Sequence, residues 1–546
     1  MASKKRARDV KNGRKAKAGK VMRAKKTVRK TARKITRKGA NKATNKAANK
    51  TTKKDKAARK TKAPKKTSVK KTARAARSAR AAKVPSALKA GKTAEAMKAA
   101  GASAMKKGLR PAKTPKVPMR QYALPVEEMP QKWYNILADL PGDFPPPKDP
   151  EHGESRLRAL PEMLLAECLK QEMSAERWID IPHELLSLYA QAGRPRQLFR
   201  ALSLEKHLGT PARLYYKAEF YSPTGSHKVN TALAQAFYAK EAGYERLATE
   251  TGAGQWGTAL AYAASLAGLR CTVYWVRAVY SWKSARKNFM QLLGAEVYAS
   301  PSDKTVTGRK LYEKDTNHPG SLGIAISEGL EDARRDKKAI YCLGSVLNHV
   351  LLHQTVIGLE TQKQFEMADD YPDVVISCLG GGSNFGGFAL PFVGDVLTKG
   401  KKIRFIAAQS EAAPNLQGEY KYDFADHAEM TPLLKMYTLG HQTSMQPIRG
   451  DGLRYHGCSP IVSYLRNKGY IDTIAYPADE KHVFERARTF IRNEGFLPAP
   501  ESAYSIACAI DEAIKCKETG ESKVIAFNIS GHGFMDMEGY SAVLGL

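Results

Sequence analysis

The chain reads as an α/β protein built on mostly parallel sheets with helices on both faces, and two observations predict this. Between residues 213 and 529, short runs of β-branched, aromatic and apolar residues alternate repeatedly with helical stretches. Such alternation produces parallel strands joined by crossover helices. The turns that follow these strands carry glycine at 225, 252–257, 380–387 and 531–533, and open α/β sheets hold their ligands beyond the carboxyl ends of the strands.

The first 120 residues are of a different kind. The 546-residue chain has 90 Lys and Arg against 53 Asp and Glu, and residues 1–120 hold 44 of the basic residues with only Asp9, Asp55 and Glu95. That segment therefore carries +41, while the remaining 46 basic and 50 acidic residues leave the body at −4, for +37 in all. It has no Phe, Trp, Tyr or Cys, so it buries too little apolar surface to offset the entropy of ordering, and a disordered basic tail is expected. Its loose Lys, Ala and Thr repeats resemble the tails of linker-histone-like proteins. The partner such a tail implies is nucleic acid, bound through phosphates without sequence reading and with steep salt dependence. The competing reading is a solvated extension with no partner, or an address to the nucleoid or an organelle.

Residues 121–155 form a Pro-rich arm or linker, including Pro145, Pro146 and Pro147, and the body spans 156–546. Leu157, Leu160, Leu164 and Cys168 stand at helical spacing and predict one helix over 156–172; Leu185, Leu188 and Ala192 predict another over 182–192. Strands are expected at 213–220, 246–249, 271–276, 296–299, 374–378, 403–408 and 523–529. Helices are expected to about 242 after the first turn, then at 281–293, 480–493 and 501–515.

The seven cysteines contain no CxxC pair, which argues against a metal site and for a reducing, cytoplasmic compartment. No run of about 18 apolar residues is present, so no membrane span is expected.

Four turns carry chemistry. Lys228 follows Gly225, Ser226 and His227 at the start of a helix, and is either a surface charge or a buried nucleophile whose pKa burial lowers. Gly380, Gly381, Gly382, Ser383 and Asn384 match neither GxGxxG nor a Walker sequence; they offer N–H groups at a helix N-terminus to a small phosphate, or serve only as a packing turn. Thr251, Gly252, Ala253, Gly254, Gln255 and Trp256 form a third turn, directly after Glu250. Ser530 opens the fourth.

These turns, with Pro498, Ala499, Pro500, Glu501 and Ser502, resemble in order and spacing the tryptophan synthase β chains. The stretches 134–140, 345–359, 435–441 and 452–457 favour the second type of that family. The resemblance covers residues 130–546 and no part of the tail. It implies a fold type II pyridoxal-phosphate enzyme: two three-layer α/β subdomains with the cofactor, pyridoxal 5'-phosphate, between them. Lys228 is implied to bond the cofactor aldehyde and act as base. His227, Asn230, the 380–384 loop, Glu501 and Ser530 are implied to hold the cofactor. For His227 a packed core histidine is the competing reading; for Glu501, a favourable first-turn charge. The turn from Thr251 to Trp256 is implied to take the substrate carboxylate, and Glu250 to stabilise charge on the second substrate. The implied reaction replaces the β hydroxyl of L-serine by indole to give L-tryptophan, the last step of its biosynthesis, in a homodimer that pairs with an α subunit in some members. A hydroxyl at Ser530, unlike a carboxylate, leaves the cofactor's ring nitrogen largely unprotonated, which suits elimination and replacement at the β carbon.

Two positions depart from the family pattern. Arg454 stands where the first type has an acidic residue, which suggests an anionic leaving group and O-phospho-L-serine as substrate. Arg196 and Gln197 stand where the family reads Thr and Pro. The rival readings are a serine or threonine dehydratase of the same fold, and a nucleic-acid-binding protein carrying an enzyme-derived domain.

Overall fold

A computed structural model describes residues 119–546, so the expectation of a disordered, nucleic-acid-binding tail over 1–120 lies almost wholly outside the described residues. Two sheets organise the rest. The larger has seven strands in the order Gln121–Tyr122, Leu198–Arg200, Arg213–Ala218, Val524–Ile529, Val374–Cys378, Arg404–Ser410 and Ile471–Tyr476. Its last five strands are mutually parallel, and the first two pair antiparallel at one edge. The smaller sheet is wholly parallel, in the order Glu296–Ser300, Arg270–Val276, Arg246–Thr251 and Ala339–Tyr341.

Both sheets are covered on two faces, which is why their strands read as apolar runs rather than alternations. In the strand Val374–Cys378, Val375 belongs to one apolar cluster while Val374, Ile376 and Cys378 belong to another on the opposite face, as the two-residue period of a strand requires. The first cluster is continuous between the sheets through Val229, Leu233, Trp256, Leu260, Leu351 and Phe385. Each such fully buried large side chain contributes about 1.5–3 kcal/mol.

Several expectations are corrected. The single helix expected over 156–172 is two, Arg156–Met163 and Ala166–Glu172. The chain turns extended at Leu164, and both Leu164 and Leu165 are buried, so packing overrides the continuous helical spacing. No element was expected between 301 and 373, yet the helices Val306–Lys314, Leu322–Arg335, Asn348–Gln354 and Val356–Met367 lie there with the strand Ala339–Tyr341. An antiparallel ribbon, Glu419–Phe424 against Leu433–Thr438, was also missed. The Pro-rich stretch is tied to the body: Lys132–Tyr134 pairs with Trp178–Asp180, and Trp133 is fully buried.

No helix among the described residues is long and apolar enough to cross a membrane. The seven cysteines are all free and buried.

Candidate active site

The turns beyond the carboxyl ends of both sheets meet around one recess. Lys228 lies directly before the helix Val229–Glu241, and its turn is fastened to the end of the strand Val524–Ile529. His227 N donates to Ser530 O at 2.8 Å, and His532 N donates to Gly225 O at 3.0 Å. Two segments about 300 residues apart in sequence are thus joined by backbone bonds.

Lys228 Nζ donates to Gly344 O at 3.2 Å. Burial pushes its pKa down to about 8, against the opposing pull of the Glu250 and Glu501 charges. His227 is held between Ser383 Oγ, 3.3 Å from its Nε2, and Ser530 O, 3.4 Å from its Nδ1. Burial, reinforced by the Lys228 charge, pushes its pKa down to about 3, so it is a neutral imidazole.

The 380–384 turn stands at a helix N-terminus. Gly382 adopts φ +113, and Ser383 opens a 17-residue helix, Ser383–Lys399. A Cβ on Gly380 would stand 2.5 Å from Gly452 O, so only glycine lets the loop and the 450–453 turn approach. Asn384 Nδ2 turns back to Ser377 Oγ at 2.6 Å.

Across the recess, Glu250 accepts from the Tyr341 hydroxyl and from Thr249 Oγ1 at 3.2 Å. Burial pushes its pKa up to about 7, and the hydrogen bond from Tyr341 opposes that rise more strongly than any other contact. Gln255 Nε2 donates to Glu501 Oε2 at 2.8 Å, and Gly452 N donates to Glu501 Oε1 at 2.9 Å.

The recess wall takes in His227, Lys228, Glu250, Thr251, Gly252, Ala253, Gln255, Trp256, the 380–384 loop, Glu501 and Ser530. Three residues singled out from sequence are not on it. Asn230 is buried behind it, where Arg194 Nη1 donates to its Oδ1 at 2.9 Å. Gly254 lies against the Trp275 ring. Arg454 stands behind Asp451, 3.5 Å from its Oδ1, and donates to Met445 O at 3.1 Å.

Sequence reasoning assigned no role to Tyr341, Gly344, Ser345 or Asp451. Only the strand-then-glycine rhythm at 339–344 could have drawn attention to the first two.

Behind Ile326, Leu343, Val346 and Tyr455, which also line the recess, lies a second, small cavity. Its wall is almost entirely hydrocarbon and includes Leu160, Met163, Leu330 and Tyr341. Among the described residues no three His, Cys, Asp or Glu side chains gather to hold a metal ion.

The site suits pyridoxal phosphate: it has a glycine cradle at the N-terminus of a long helix for a phosphate, an amine of lowered pKa for an aldehyde, and a hydroxyl at Ser530 for a ring nitrogen. Comparison with known proteins agrees. Residues 189–531 match the family described as "Pyridoxal-phosphate dependent enzyme", so the fold and site define a pyridoxal-phosphate-dependent enzyme of fold type II.

Tryptophan synthase beta chain 2 of Methanothermobacter thermautotrophicus is 55% identical over 427 residues, covering 78% of this chain and 99% of that protein. Tryptophan synthase beta chain of Thermococcus gammatolerans is 56% identical over 426 residues, covering 77% and 96%. Tryptophan synthase beta chain 2 of Aquifex aeolicus is 54% identical over 434 residues, covering 78% and 99%. The chain belongs to the tryptophan synthase β-chain family, and it is a pyridoxal-phosphate-dependent lyase of tryptophan biosynthesis.

Proposed function

We propose that the protein replaces the β hydroxyl of L-serine by indole to form L-tryptophan and water. The observation that carries this reading is that Lys228 and Glu250, whose proton affinities are displaced toward neutrality from opposite sides, face one recess. Groups tuned in opposite directions mark acid–base assignments. An apolar cavity adjoins that recess through shared wall residues and suits an aromatic hydrocarbon.

Pyridoxal phosphate, when bound, supplies an electron sink for the α carbon of the amino acid. The N–H groups of the 380–384 loop and neutral His227 would hold its phosphate. Lys228 Nζ takes the α proton of serine, and its lowered pKa leaves a useful fraction of free amine near neutral pH. The 251–255 turn orients the substrate carboxylate. Glu250, once ionised, stabilises the positive charge that grows on the indole nitrogen and accepts its proton.

Mixing the holoenzyme with serine and indole should yield tryptophan. Keto-acid release that indole leaves unchanged would instead support a dehydratase.

The finer readings rest on particular residues. Arg454, which stands behind Asp451 rather than on the recess wall, is the residue on which O-phospho-L-serine as an alternative amino acid rests. A net charge of +41 over residues 1–120 supports non-specific binding of nucleic acid. Seven free cysteines support a reducing, cytoplasmic setting. Family likeness supports a homodimer and an α-subunit partner, which sedimentation with and without that subunit would test.

A further inference from the structure

The Ser530 hydroxyl is buried at the wall of the recess, and its nearest partner is the Ser502 hydroxyl, 2.8 Å away. Either hydroxyl can donate across this contact, because each has one hydrogen and two lone pairs. Gly531 N donates to Ser502 Oγ at 3.2 Å, which makes Ser502 an acceptor toward the backbone. Its own hydrogen then has two targets, Ser530 Oγ at 2.8 Å and Gly531 O at 3.5 Å. The shorter contact wins, since hydrogen bonds weaken steeply beyond normal length.

When Ser502 donates to Ser530, the Ser530 hydrogen is left for another acceptor. Besides the recess, its remaining neighbour is Cys378 Sγ at 3.8 Å, a weak acceptor that already faces the Asn384 amide at 3.2 Å. The recess is the better direction. Glu501, on the same wall, is turned toward Gly452 N and Gln255 Nε2, which donate to its two oxygens.

We infer that Ser502 is a positioning residue that fixes Ser530 as a hydrogen-bond donor into the recess, toward a neutral, accepting ring nitrogen of the cofactor. This rests on the reading of Ser530 as the ring-nitrogen partner. A chain running from Gly531 N–H through Ser502 to Ser530 polarises each hydroxyl in turn, so the last donor is stronger than an isolated serine. Ser502 has no relative exposure and does not line the recess, so its effect passes through Ser530.

The test uses holoenzyme reconstituted with pyridoxal phosphate labelled with ¹⁵N in the ring, and reads the nitrogen resonance by solid-state NMR. Wild type, Ser502→Ala, Ser502→Thr and Ser530→Ala are compared, with thermal unfolding as a check that each is folded. Wild type should show a neutral, hydrogen-bonded nitrogen. Ser530→Ala should move the resonance toward that of a neutral nitrogen with no bond, and Ser502→Ala should move it part of the way. Ser502→Thr, which keeps the hydroxyl, should restore the wild-type position. Retention of the cofactor should weaken about five- to tenfold in Ser502→Ala.

If Ser530→Ala shifts the nitrogen while Ser502→Ala coincides with wild type in shift and affinity, the inference fails and the Ser530 reading survives. If Ser530→Ala moves nothing, or the wild-type nitrogen is protonated, the reading of Ser530 fails and takes the inference with it.

Discussion

Tyr341 donates its phenolic hydroxyl to Glu250 Oε2 across the wall that separates the catalytic recess from the apolar cavity behind it. Burial raises the Glu250 pKa from 4.5 to about 7, and the Tyr341 bond opposes that rise because it favours the charged form. If ionised Glu250 is the working form, kcat/KM for indole falls as pH drops through about 7. In Tyr341→Phe the acidic limb should move up by about one to two pH units, since a hydrogen bond to a charged group is worth about 1.5–3 kcal/mol. Glu250→Gln should abolish the limb. The sign for stability is opposite to that for activity: a carboxyl with a raised folded-state pKa contributes stability that is present below about 4.5 and lost as pH rises through about 7.

Lys228 should react with its cofactor as an amine of low pKa. Burial sets that pKa near 8 rather than 10.5, so the rate at which apoprotein regains the visible cofactor absorbance should rise with pH to a midpoint near 8. A midpoint above about 10 would show the lysine to be solvated. Lys228→Ala should show no covalent cofactor band and lose on the order of 10³-fold or more in turnover.

Arg454 reaches the recess only through Asp451. Arg454→Ala should lower the ratio of kcat/KM for O-phosphoserine to that for serine by about tenfold or more, the worth of one charge-assisted bond. An unchanged ratio removes the phosphoserine reading and leaves serine turnover intact.

Glu360 is the hub of a buried ionic cluster. It accepts from Arg194 Nε and Nη2, each at 2.9 Å, from Arg196 N at 3.0 Å and from Lys217 Nζ at 2.8 Å. Arg196 is fully buried with its Nη1 3.0 Å from Glu219 Oε2. The cluster therefore holds three cations against two carboxylates. Glu360→Gln should cost about 3–5 kcal/mol in denaturant unfolding, because it strands buried positive charge. A loss under about 1 kcal/mol would mean that the cluster relaxes or admits water.

A truncation ending before Met119 should abolish salt-sensitive binding to duplex DNA and leave turnover unchanged. The cut is placed there because Arg120 pairs with Glu494 at 3.1 Å and its carbonyl accepts from Arg200 N. DNA binding that survives the truncation would refute the tail assignment.

What the sequence determined by itself is local and periodic. Continuous apolar runs marked the strands at 374–378 and 524–529, because both of their faces are covered. Glycines before Ser383 and around Lys228 marked turns, because few other residues take those conformations or allow such approach. Resemblance then attached chemistry to Lys228, Glu250 and Ser530. The helix Asn348–Gln354 went unread because all seven of its residues are covered and it lacks the one-sided pattern of an amphipathic helix; Val306–Lys314 and Leu322–Arg335 do carry that pattern and were also missed. Only the tertiary structure decided which residues complete the site. Tyr341 meets Glu250 across 91 residues, Ser502 meets Ser530 across 28, and Asn230 turns from the recess to the arginine cluster. These outcomes depend on how strands from distant parts of the chain pair in register and which turns they bring together, and no local spacing encodes that convergence.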